Sequence, residues 1–479
     1  MSSLKKNMVY QIGYEVLSFI LPLITSPYIS RVLGAEKIGI YSYSYSVAYY
    51  FHLFAMLGIK YYGTREIAAS RESIKERNEK FTSVFLLHLF LTVVMSILYG
   101  LYCAFYTREN RTIALIQGLF VLSAVLDINW LFFGLEKFKI TVSRNIVIKI
   151  CTACAVFLFV RENGDLWKYT LIMALGNFAS QLVVWMFAFR YVKFVKVKWA
   201  DILVHIKPMF MLFVPIIAVT ILKYLSEILL GIFSTHEEVG LYDNAYKIIT
   251  MPSALIVAVG TVMLPKMSNL IKNNMGEKGE KYIEISYRYL MCLAIGMSFG
   301  LMAVADEFSV IFWGEEFAKC GTLIKILSVA IPFTAYANIT RTQYLMPNNK
   351  DKIYMHSTIV AMLINVLFNI LLVTEYQSVG VAWVTVLSEL VIMIYQIFAI
   401  QKEADQKRYI KSFVFFYALG GGMLVFLDKL FIKLNYSLGS LVLKIVVGIV
   451  IYGIFSMIYL LIVRDEYAIR LFKSGRKNK

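Results

Sequence analysis

Residues 81–105 read FTSVFLLHLFLTVVMSILYGLYCAF and contain no Asp, Glu, Lys or Arg. A transmembrane helix needs about 20 mostly apolar residues, so this run is long enough to cross a bilayer. Similar runs recur along the chain, and the sequence predicts an all-α polytopic membrane protein with fourteen transmembrane helices. Their expected ranges are 9–30, 38–59, 81–105, 112–133, 141–160, 167–189, 208–232, 240–264, 283–305, 320–346, 353–374, 378–400, 412–430 and 438–463.

The composition of the whole chain agrees with this prediction. Of its 479 residues, 59% are hydrophobic and 16% are charged. Soluble domains contain about 45–50% apolar and about 25% charged residues. A soluble fold could not bury so much apolar surface, and a disordered chain would contain far less of it. Tight connections are expected at 31–37 and 375–377, because joining the helices on either side would give segments too long for one crossing.

The distribution of Lys and Arg predicts the orientation of the helices. One set of alternate connections, which includes both termini, carries 33 of the 48 basic residues, and the opposite set carries nine. Cytoplasmic connections are enriched in Lys and Arg, so an even number of crossings with both termini in the cytoplasm is expected. The run at 9–30 is too long for a signal peptide and lacks a small-residue cleavage site, which predicts a retained first helix.

Nothing in the sequence indicates an enzyme or a metal protein. The longest outer connection, 306–319, leaves no room for a catalytic domain, and there is no Gly-rich phosphate loop or nucleophile motif. Cys151 and Cys154 form a C-x-x-C within a membrane helix, with no second pair to complete a metal site. We therefore expect no metal or cofactor and interpret the cysteines as packing residues.

Two segments suggest an internal duplication. VLGAEKIGIYSYSYS at 32–46 and LLGIFSTHEEVGLYDNAYK at 229–247 align Gly39, Tyr41 and Tyr45 with Gly240, Tyr242 and Tyr246. Chance is the alternative in a Tyr-rich chain, but both segments fall on the same predicted outer hairpin. Parallel repeats are typical of transporters with two lobes. The expected divisions are an N-terminal lobe 1–200 (helices 1–6), a C-terminal lobe 201–405 (helices 7–12), and helices 13–14 with a basic tail in 406–479.

Prolines interrupt the corresponding helix in each predicted lobe. Pro22 and Pro27 lie in the first predicted helix, and Pro215 lies in the seventh. Interrupted helices at matching positions in two lobes point to a binding site at the bilayer midplane between them.

These segments carry a family resemblance. PYISRVLGAEKIGIYSYSYSVAYYFHLFAMLGIKYYGTREIA at 27–68, EILLGIFSTHEEVGLYDNAYKI at 227–248 and SVGVAWVTVLSE at 378–389 resemble the signatures of Wzx-type polysaccharide repeat-unit flippases. These proteins serve O-antigen, capsule and exopolysaccharide synthesis and belong to the MOP exporter superfamily, which includes the MATE transporters. One departure is Ser226-Glu227, where an acidic–basic pair is expected, with Lys223 one turn earlier.

The resemblance implies a MOP/MATE-like fold and a transport function. Its expected cargo is an undecaprenyl-diphosphate-linked oligosaccharide, carried from the cytoplasmic to the outer leaflet of the bacterial cell membrane by alternating access. A polysaccharide polymerase and chain-length machinery are possible partners, in addition to membrane lipids, and no nucleic acid is expected. The alternatives are a MATE-like drug or cation antiporter and, less favoured, a membrane-embedded polymerase. The polymerase reading is disfavoured because its chemistry needs a large outer loop.

Cations predicted deep in the bilayer are candidates for a cationic cavity, because a buried charge needs a partner or a water-filled site. Lys149, Lys223 and Lys247 are the deep ones, while Arg144, Lys325 and Lys444 lie near helix ends and are expected to snorkel. Arg31 and Arg65 are candidates to bind the phosphate as it enters or leaves the cavity. Arg65 also fits the enrichment of Lys and Arg in the cytoplasmic connections. The structural alternative is pairing within one helix, Lys223 with Glu227 and Asp243 with Lys247.

Buried acids are candidates for coupling transport to a proton or cation. Glu227 and Glu389 are preferred, and Asp127 is a third candidate for which a capping or interfacial role is favoured. His88 is interpreted as a packing or interface residue. The run YSYSYSVAYYF at 41–51 fits either an interfacial aromatic belt or a wall on which sugars stack.

Overall fold

The computed structural model describes residues 3–107, 109–273, 275–403, 406–432, 435–463, 465 and 469. Helices form all the regular structure in this part of the chain, so the predicted fold class is confirmed. The chain divides into two compact units, residues 1–240 and 241–479. The sequence places a lobe boundary after residue 200 instead, and its division into 1–200, 201–405 and 406–479 stays a prediction.

The described part of the first unit contains ten α-helices and the start of an eleventh, and some of the ten are short segments that follow one another within one predicted crossing. They are α1 (Ser3–Met56), α2 (Ile59–Ala69), α3 (Ile74–Phe105), α4 (Arg111–Leu126), α5 (Asn129–Gly134), α6 (Phe138–Phe159), α7 (Leu166–Ala188), α8 (Trp199–Leu203), α9 (Ile206–Thr220) and α10 (Ser226–Phe233). A 3₁₀ turn at Asn163–Asp165 precedes α7, and a π-helical segment, Ile221–Leu225, joins α9 to α10. Helix α4 packs against α1, α3 and α7, and α6 packs against α1 and α7.

Helix α11 (His236–Lys272) crosses the boundary between the two units, and the helices after it belong to the second unit. These are α12 (Gly276–Trp313), α13 (Lys319–Ser328), α14 (Ala330–Ile339), α15 (Asp351–Ile400), α16 (Gln406–Phe431) and α17 (Leu438–Ile462). A 3₁₀ turn, Glu315–Phe317, precedes α13, and a π-helical segment, Thr340–Leu345, follows α14. Helix α12 is the centre of the second unit, since it packs against α13, α14, α16 and α17.

Two long helices are interrupted inside the connections predicted from the sequence. Gly34 leaves helical geometry within α1 (φ 76°, ψ 171°), and Gln377 does so within α15 (φ 51°, ψ −135°). In α1 the interruption is at Gly34, whereas Pro22 and Pro27 lie within continuous helix. Eleven helical segments of the described chain are long and apolar enough to cross a membrane, which supports a multi-pass membrane protein. The total of fourteen stays a prediction.

The two glycines of the sequence repeat meet inside the first unit. A Cβ on Gly39 would lie 1.5 Å from the carbonyl oxygen of His236, and one on Gly240 would lie 2.1 Å from that of Ala35. Glycine is therefore required at both positions, because α1 and the start of α11 pass at backbone contact.

The cysteines divide into two groups. Cys103 and Cys320 are buried, in agreement with a packing role, and Cys292 is half-buried. Cys151 and Cys154 are exposed on α6, so the packing interpretation is wrong for this pair. Their side chains face away from the packed interior because α6 is a membrane helix with a wide apolar exposed face.

Candidate functional site

A polar cavity of about 550 Å³ lies within the first unit. Five parts of the fold contribute to its described wall: α1, the start of α2, the α4–α5 junction with α5, α6 and α7. We call it the first-unit cavity. Its size falls within the range of about 300–1,000 Å³ that is usual for small-molecule sites.

Arg144, near the start of α6, lines the first-unit cavity and is only 7% exposed. Its Nε and Nη2 donate to Oδ1 of Asn145 at 3.1 and 2.6 Å, and Nη2 also donates to Oδ1 of Asn129 at 3.2 Å. The expectation that Arg144 snorkels to the interface is therefore wrong. Two amide oxygens replace water as acceptors, so the guanidinium stays charged inside the protein.

Lys149 lies on α6, just over one turn after Arg144, and also lines the first-unit cavity. Its Nζ donates to Oγ of Ser18, on α1, at 2.7 Å. The position fits the proposed role of Lys149 in a cationic cavity, which stays a prediction.

Asp127 follows the last residue of α4 and also lines the first-unit cavity. Its Oδ1 accepts from the backbone N–H of Asn129 at 3.0 Å and from Nδ2 of Asn129 at 2.7 Å. The Asn129 amide nitrogen donates in addition to Oε1 of Gln181 at 3.1 Å. These bonds agree with the favoured structural reading of Asp127, and they also connect its carboxylate to the amide of Asn129, which faces Arg144.

Cations outnumber carboxylates among the described residues of the cavity wall. Its described lining contains three cations, Arg144, Lys149 and Lys60, and one carboxylate, Asp127. Amide and hydroxyl side chains fill much of the remaining polar wall: Asn129, Asn145, Asn177, Gln181, Ser18, Thr25, Thr141, Thr152 and Ser180. Cations with several neutral hydrogen-bonding groups suit an anionic ligand that also carries hydroxyls.

Lys223 and Glu227 lie outside the described lining of the first-unit cavity, in and after the π-helical segment. The Nζ of Lys223 is 4.6 Å from the ring centroid of Tyr224, which stacks on Tyr49 at 4.2 Å. Glu227 is 2% exposed and accepts a hydrogen bond from Oγ of Ser46. The coupling role proposed for Glu227 and the binding role proposed for Lys223 stay predictions.

Arg31 and Arg65 also lie outside the lining of the first-unit cavity. Both are exposed. Arg65 contacts the ring of Tyr62, at 5.4 Å from the centroid, and its Nη2 is 4.0 Å from Oε1 of Glu66. This position agrees with the charge-bias interpretation of Arg65.

Two predicted residues belong to the second unit. Lys247 forms an ion pair with Asp243 one turn earlier on α11, Nζ to Oδ2 at 2.6 Å, as the structural alternative predicts. Glu389 lies on α15, where its Oε2 accepts from Oγ1 of Thr334 at 2.9 Å. The part of the chain that the structure describes contains no cluster of three or more His, Cys, Asp or Glu placed to hold a metal ion.

Three amides of the site, Asn129, Asn145 and Gln181, were not predicted from the sequence. The signal was present, because Asn145 directly follows Arg144 and Asn129 follows Asp127 by two residues within otherwise apolar segments. Buried amides are expensive unless they are hydrogen-bonded, so amides beside intramembrane charges indicate a shared polar site.

Comparison with known sequences identifies a family and a relative. A sequence model of the family described as "Polysaccharide biosynthesis protein" matches residues 4–271. The chain is 22% identical over 403 residues to a "Putative O-antigen transporter" of Shigella dysenteriae, with 83% of this chain and 100% of the relative covered.

Comparison with solved structures shows the fold. The structure titled "Lipid II flippase MurJ, inward closed conformation" aligns with a TM-score of 0.77 at 18% identity, covering 95% of this chain and 99% of the other. An inward-facing multidrug resistance MATE transporter of the MOP superfamily aligns with a TM-score of 0.59 at 14% identity, covering 80% and 96%. The MOP/MATE-like architecture expected from the sequence is confirmed.

Proposed function

The chain belongs to the polysaccharide biosynthesis protein family, and we propose that it is a flippase for undecaprenyl-diphosphate-linked oligosaccharide repeat units. It moves them from the cytoplasmic to the outer leaflet by alternating access, for the synthesis of a surface polysaccharide such as O-antigen or capsule. The relative named an O-antigen transporter, which the chain covers completely, supports this cargo. The observation that carries the proposal is the first-unit cavity, whose described wall contains more cations than carboxylates and several amides, inside a membrane-spanning fold.

The chemistry of the first-unit cavity suits the polar part of such a cargo. The guanidinium of Arg144 presents several N–H donors in a fixed plane, and the ammonium of Lys149 adds a second positive charge. Together they stabilise a phosphate or carboxylate group. The surrounding amides and hydroxyls donate to and accept from sugar hydroxyls, while the polyprenyl chain stays in the lipid.

The membrane potential drives the export of an anionic cargo. Moving one charge through 100 mV changes the free energy by about 2.3 kcal/mol, so a divalent anion moving outward gains about twice that amount. We place the protein in the bacterial cell membrane with both termini in the cytoplasm, on the basis of the Lys and Arg distribution. It catalyses no reaction, and it supplies its cargo to a polysaccharide polymerase and the associated chain-length machinery.

A drug or cation antiporter is the weaker proposal. Such a protein binds organic cations, and a cavity that contains Arg144, Lys149 and Lys60 against a single described carboxylate repels them. A dye-efflux assay separates the two functions, since we expect this protein to give no efflux of cationic dyes above background.

The test is export in living cells. A strain that lacks the protein should accumulate lipid-linked repeat units in the cytoplasmic leaflet, and the unaltered gene should restore export. The variant Lys149→Ala, which removes a cation of the cavity wall, should fail to restore it at equal membrane abundance. A matched control is Lys168→Ala, which removes a cation of α7 that pairs with Asp165 instead of lining the cavity. Full export by Lys149→Ala would contradict the cationic-site mechanism.

A further inference from the structure

A second cavity, of about 280 Å³, lies within the first unit and shares no described lining residue with the first-unit cavity. Residues of α1, α3, α4 and α10, of the α3–α4 connection and of the start of α11 form its described wall. We call it the tyrosine pocket, after Tyr43, Tyr99, Tyr102 and Tyr106. Its described lining contains one carboxylate, Glu109, and no lysine or arginine, so it does not attract a phosphate.

Three of the tyrosines form a ladder of rings at the end of α3. The ring centroids of Tyr99 and Tyr102 lie 6.0 Å apart, and those of Tyr102 and Tyr106 lie 6.0 Å apart with 11° between the ring planes. Tyr99 is 3% exposed, and its hydroxyl donates to the backbone carbonyl of Ala114, on α4, at 2.7 Å. Tyr106 is 80% exposed. The ladder is therefore anchored inside the protein, and its last ring is accessible to a ligand.

The fourth tyrosine, Tyr43 on α1, is held in place by its neighbours. A Cβ on Gly231 would lie 2.1 Å from the Tyr43 ring, so this ring packs directly on the backbone of α10. The centroid of the Tyr43 ring is 5.4 Å from that of His236. Nδ1 of His236 is buried and has no hydrogen-bond partner within the described chain. Because an unmet buried polar atom destabilises a fold, a ligand with hydroxyl groups is a suitable partner for this nitrogen.

Polar groups surround the rings of the tyrosine pocket. Asn110 precedes α4, and its side chain makes no capping bond to that helix. Ser44 and Thr107 add hydroxyl groups to the wall. Aromatic faces bordered by neutral donors and acceptors suit a sugar, which has apolar C–H faces and hydroxyls at its edge. Glu109 is exposed, so solvent screens its charge, which disfavours an organic cation as the ligand.

The tyrosine pocket adjoins three segments that the sequence predicts on the outer side of the membrane. The connection at 106–111, between the third and fourth predicted helices, contributes four lining residues. The predicted outer hairpins at 32–46 and 229–247 contribute Tyr43 and His236. With cytoplasmic termini, all three segments reach the side to which the cargo is delivered.

We propose that the tyrosine pocket is an outer-side binding site for a neutral sugar unit of the transported oligosaccharide. This inference rests on the proposed function, since it assigns one part of that cargo to a second site. The cations of the first-unit cavity receive the phosphate end, and the tyrosine pocket binds a sugar ring by stacking and hydrogen bonds. The two sites therefore separate recognition of the charged and uncharged parts of the cargo.

The first experiment measures binding of the oligosaccharide alone to the purified full-length protein in detergent. Mild acid releases this oligosaccharide from the cell's lipid-linked repeat unit without the diphosphate and the lipid. Saturation-transfer NMR should show contact between the protein and the sugar ring protons, and tetramethylammonium should not displace the sugar. Absence of contact, or displacement by tetramethylammonium, would overturn the sugar site. Export by the same protein in cells would then leave the flippase proposal intact, whereas absence of export would overturn both.

The second experiment locates the bound sugar with variants of the pocket. Tyr102→Leu combined with Tyr106→Leu removes two rings and keeps apolar side chains, so the affinity for the oligosaccharide should fall by about tenfold. The matched control is Phe105→Leu, which changes a 72%-exposed aromatic residue of α3 outside the described pocket wall and should bind as the unaltered protein does.

A further variant protects this test against a folding defect. Asn110→Ala removes one hydrogen-bonding group without removing a cap of α4, and the affinity should fall by about fivefold. The unfolding temperature in detergent identifies the variants that keep the fold. Unaltered affinity in every folded variant of the pocket would place the sugar elsewhere and overturn the proposal.

Discussion

Arg144 shows what one residue contributes to the site. Its guanidinium is held in the first-unit cavity by Oδ1 of Asn145 and Oδ1 of Asn129. Such charge-assisted bonds are stronger than neutral ones and fix the direction of the remaining N–H donors. The same contacts make the arginine hard to replace, because its removal takes a donor from Oδ1 of Asn129 and leaves Oδ1 of Asn145 with the hydroxyl of Ser180.

We predict that Arg144→Lys keeps the protein folded but lowers export by about tenfold, since an ammonium keeps the charge and loses the planar donor set. Arg144→Ala should in addition lower the free energy of unfolding by about 1–3 kcal/mol, because the amides of Asn129 and Asn145 lose a partner. Export assays and thermal unfolding of the purified protein separate the two effects. Equal export by Arg144→Lys and the unaltered protein would exclude a need for the planar donors.

Replacement of Gly39 should destabilise the fold. Gly39→Ala places a methyl group against the backbone of His236, so the helices must separate, and we expect a loss of at least about 1–3 kcal/mol in stability. The control is Gly100→Ala on α3, where the structure leaves open space around the new Cβ and no loss is expected. The measurement is the unfolding temperature in detergent. Similar values for the two variants would contradict the close helix contact.

Helices α12 and α17 are joined by two ion pairs, one near each end of α17. Arg288 pairs with the 4%-exposed Asp465 just beyond α17, and Lys444 lies 3.2 Å from Oε1 of Glu307. On α12 the two sites are about 28 Å apart at 1.5 Å per residue, close to the hydrocarbon thickness of about 30 Å. This spacing fits ion pairs at the two membrane interfaces of one antiparallel helix pair.

Breaking one of these pairs should destabilise the second unit. Glu307→Gln leaves the buried ammonium of Lys444 with the exposed Asp428, 3.7 Å away, as its remaining carboxylate. Loss of one partner of a buried pair typically costs about 3–5 kcal/mol, and Asp428 offsets part of this cost. Glu307→Gln combined with Lys444→Met should recover most of the loss, because no buried charge is then left without its partner. Thermal unfolding of both variants measures this. A double variant no more stable than the single one would show that the pair itself is not the cause.

The helices were predictable from the sequence because their signal is local. Apolar runs give the spans, and the tight connections at 31–37 and 375–377 contain the breaks at Gly34 and Gln377. The contacts of the site were not predictable in this way. Lys149 bonds to Ser18, and Glu227 bonds to Ser46, in both cases across more than a hundred residues of sequence. A single sequence contains no pattern that indicates such long-range contacts. The resemblance to the Wzx-type flippases is confirmed by the family match.

At the scale of the whole molecule, the Lys and Arg distribution predicts the topology. Gly164 belongs to a predicted outer connection and Gly276 to a predicted inner one, and a side chain at either has open space. In a protein whose natural cysteines are replaced by serine, Gly164→Cys should react with a membrane-impermeant thiol reagent in intact cells. Gly276→Cys should react only after permeabilisation. The reverse pattern would invert the topology and contradict cytoplasmic termini.

The position of the first-unit cavity within the chain bears on how new cargo preferences arise. All the residues of its described wall come from positions 18–181. Recombination between related genes that exchanges this segment would transfer a complete recognition surface in one event. Chimeric exporters built at that boundary should therefore inherit the sugar preference of the parent that supplied the N-terminal portion.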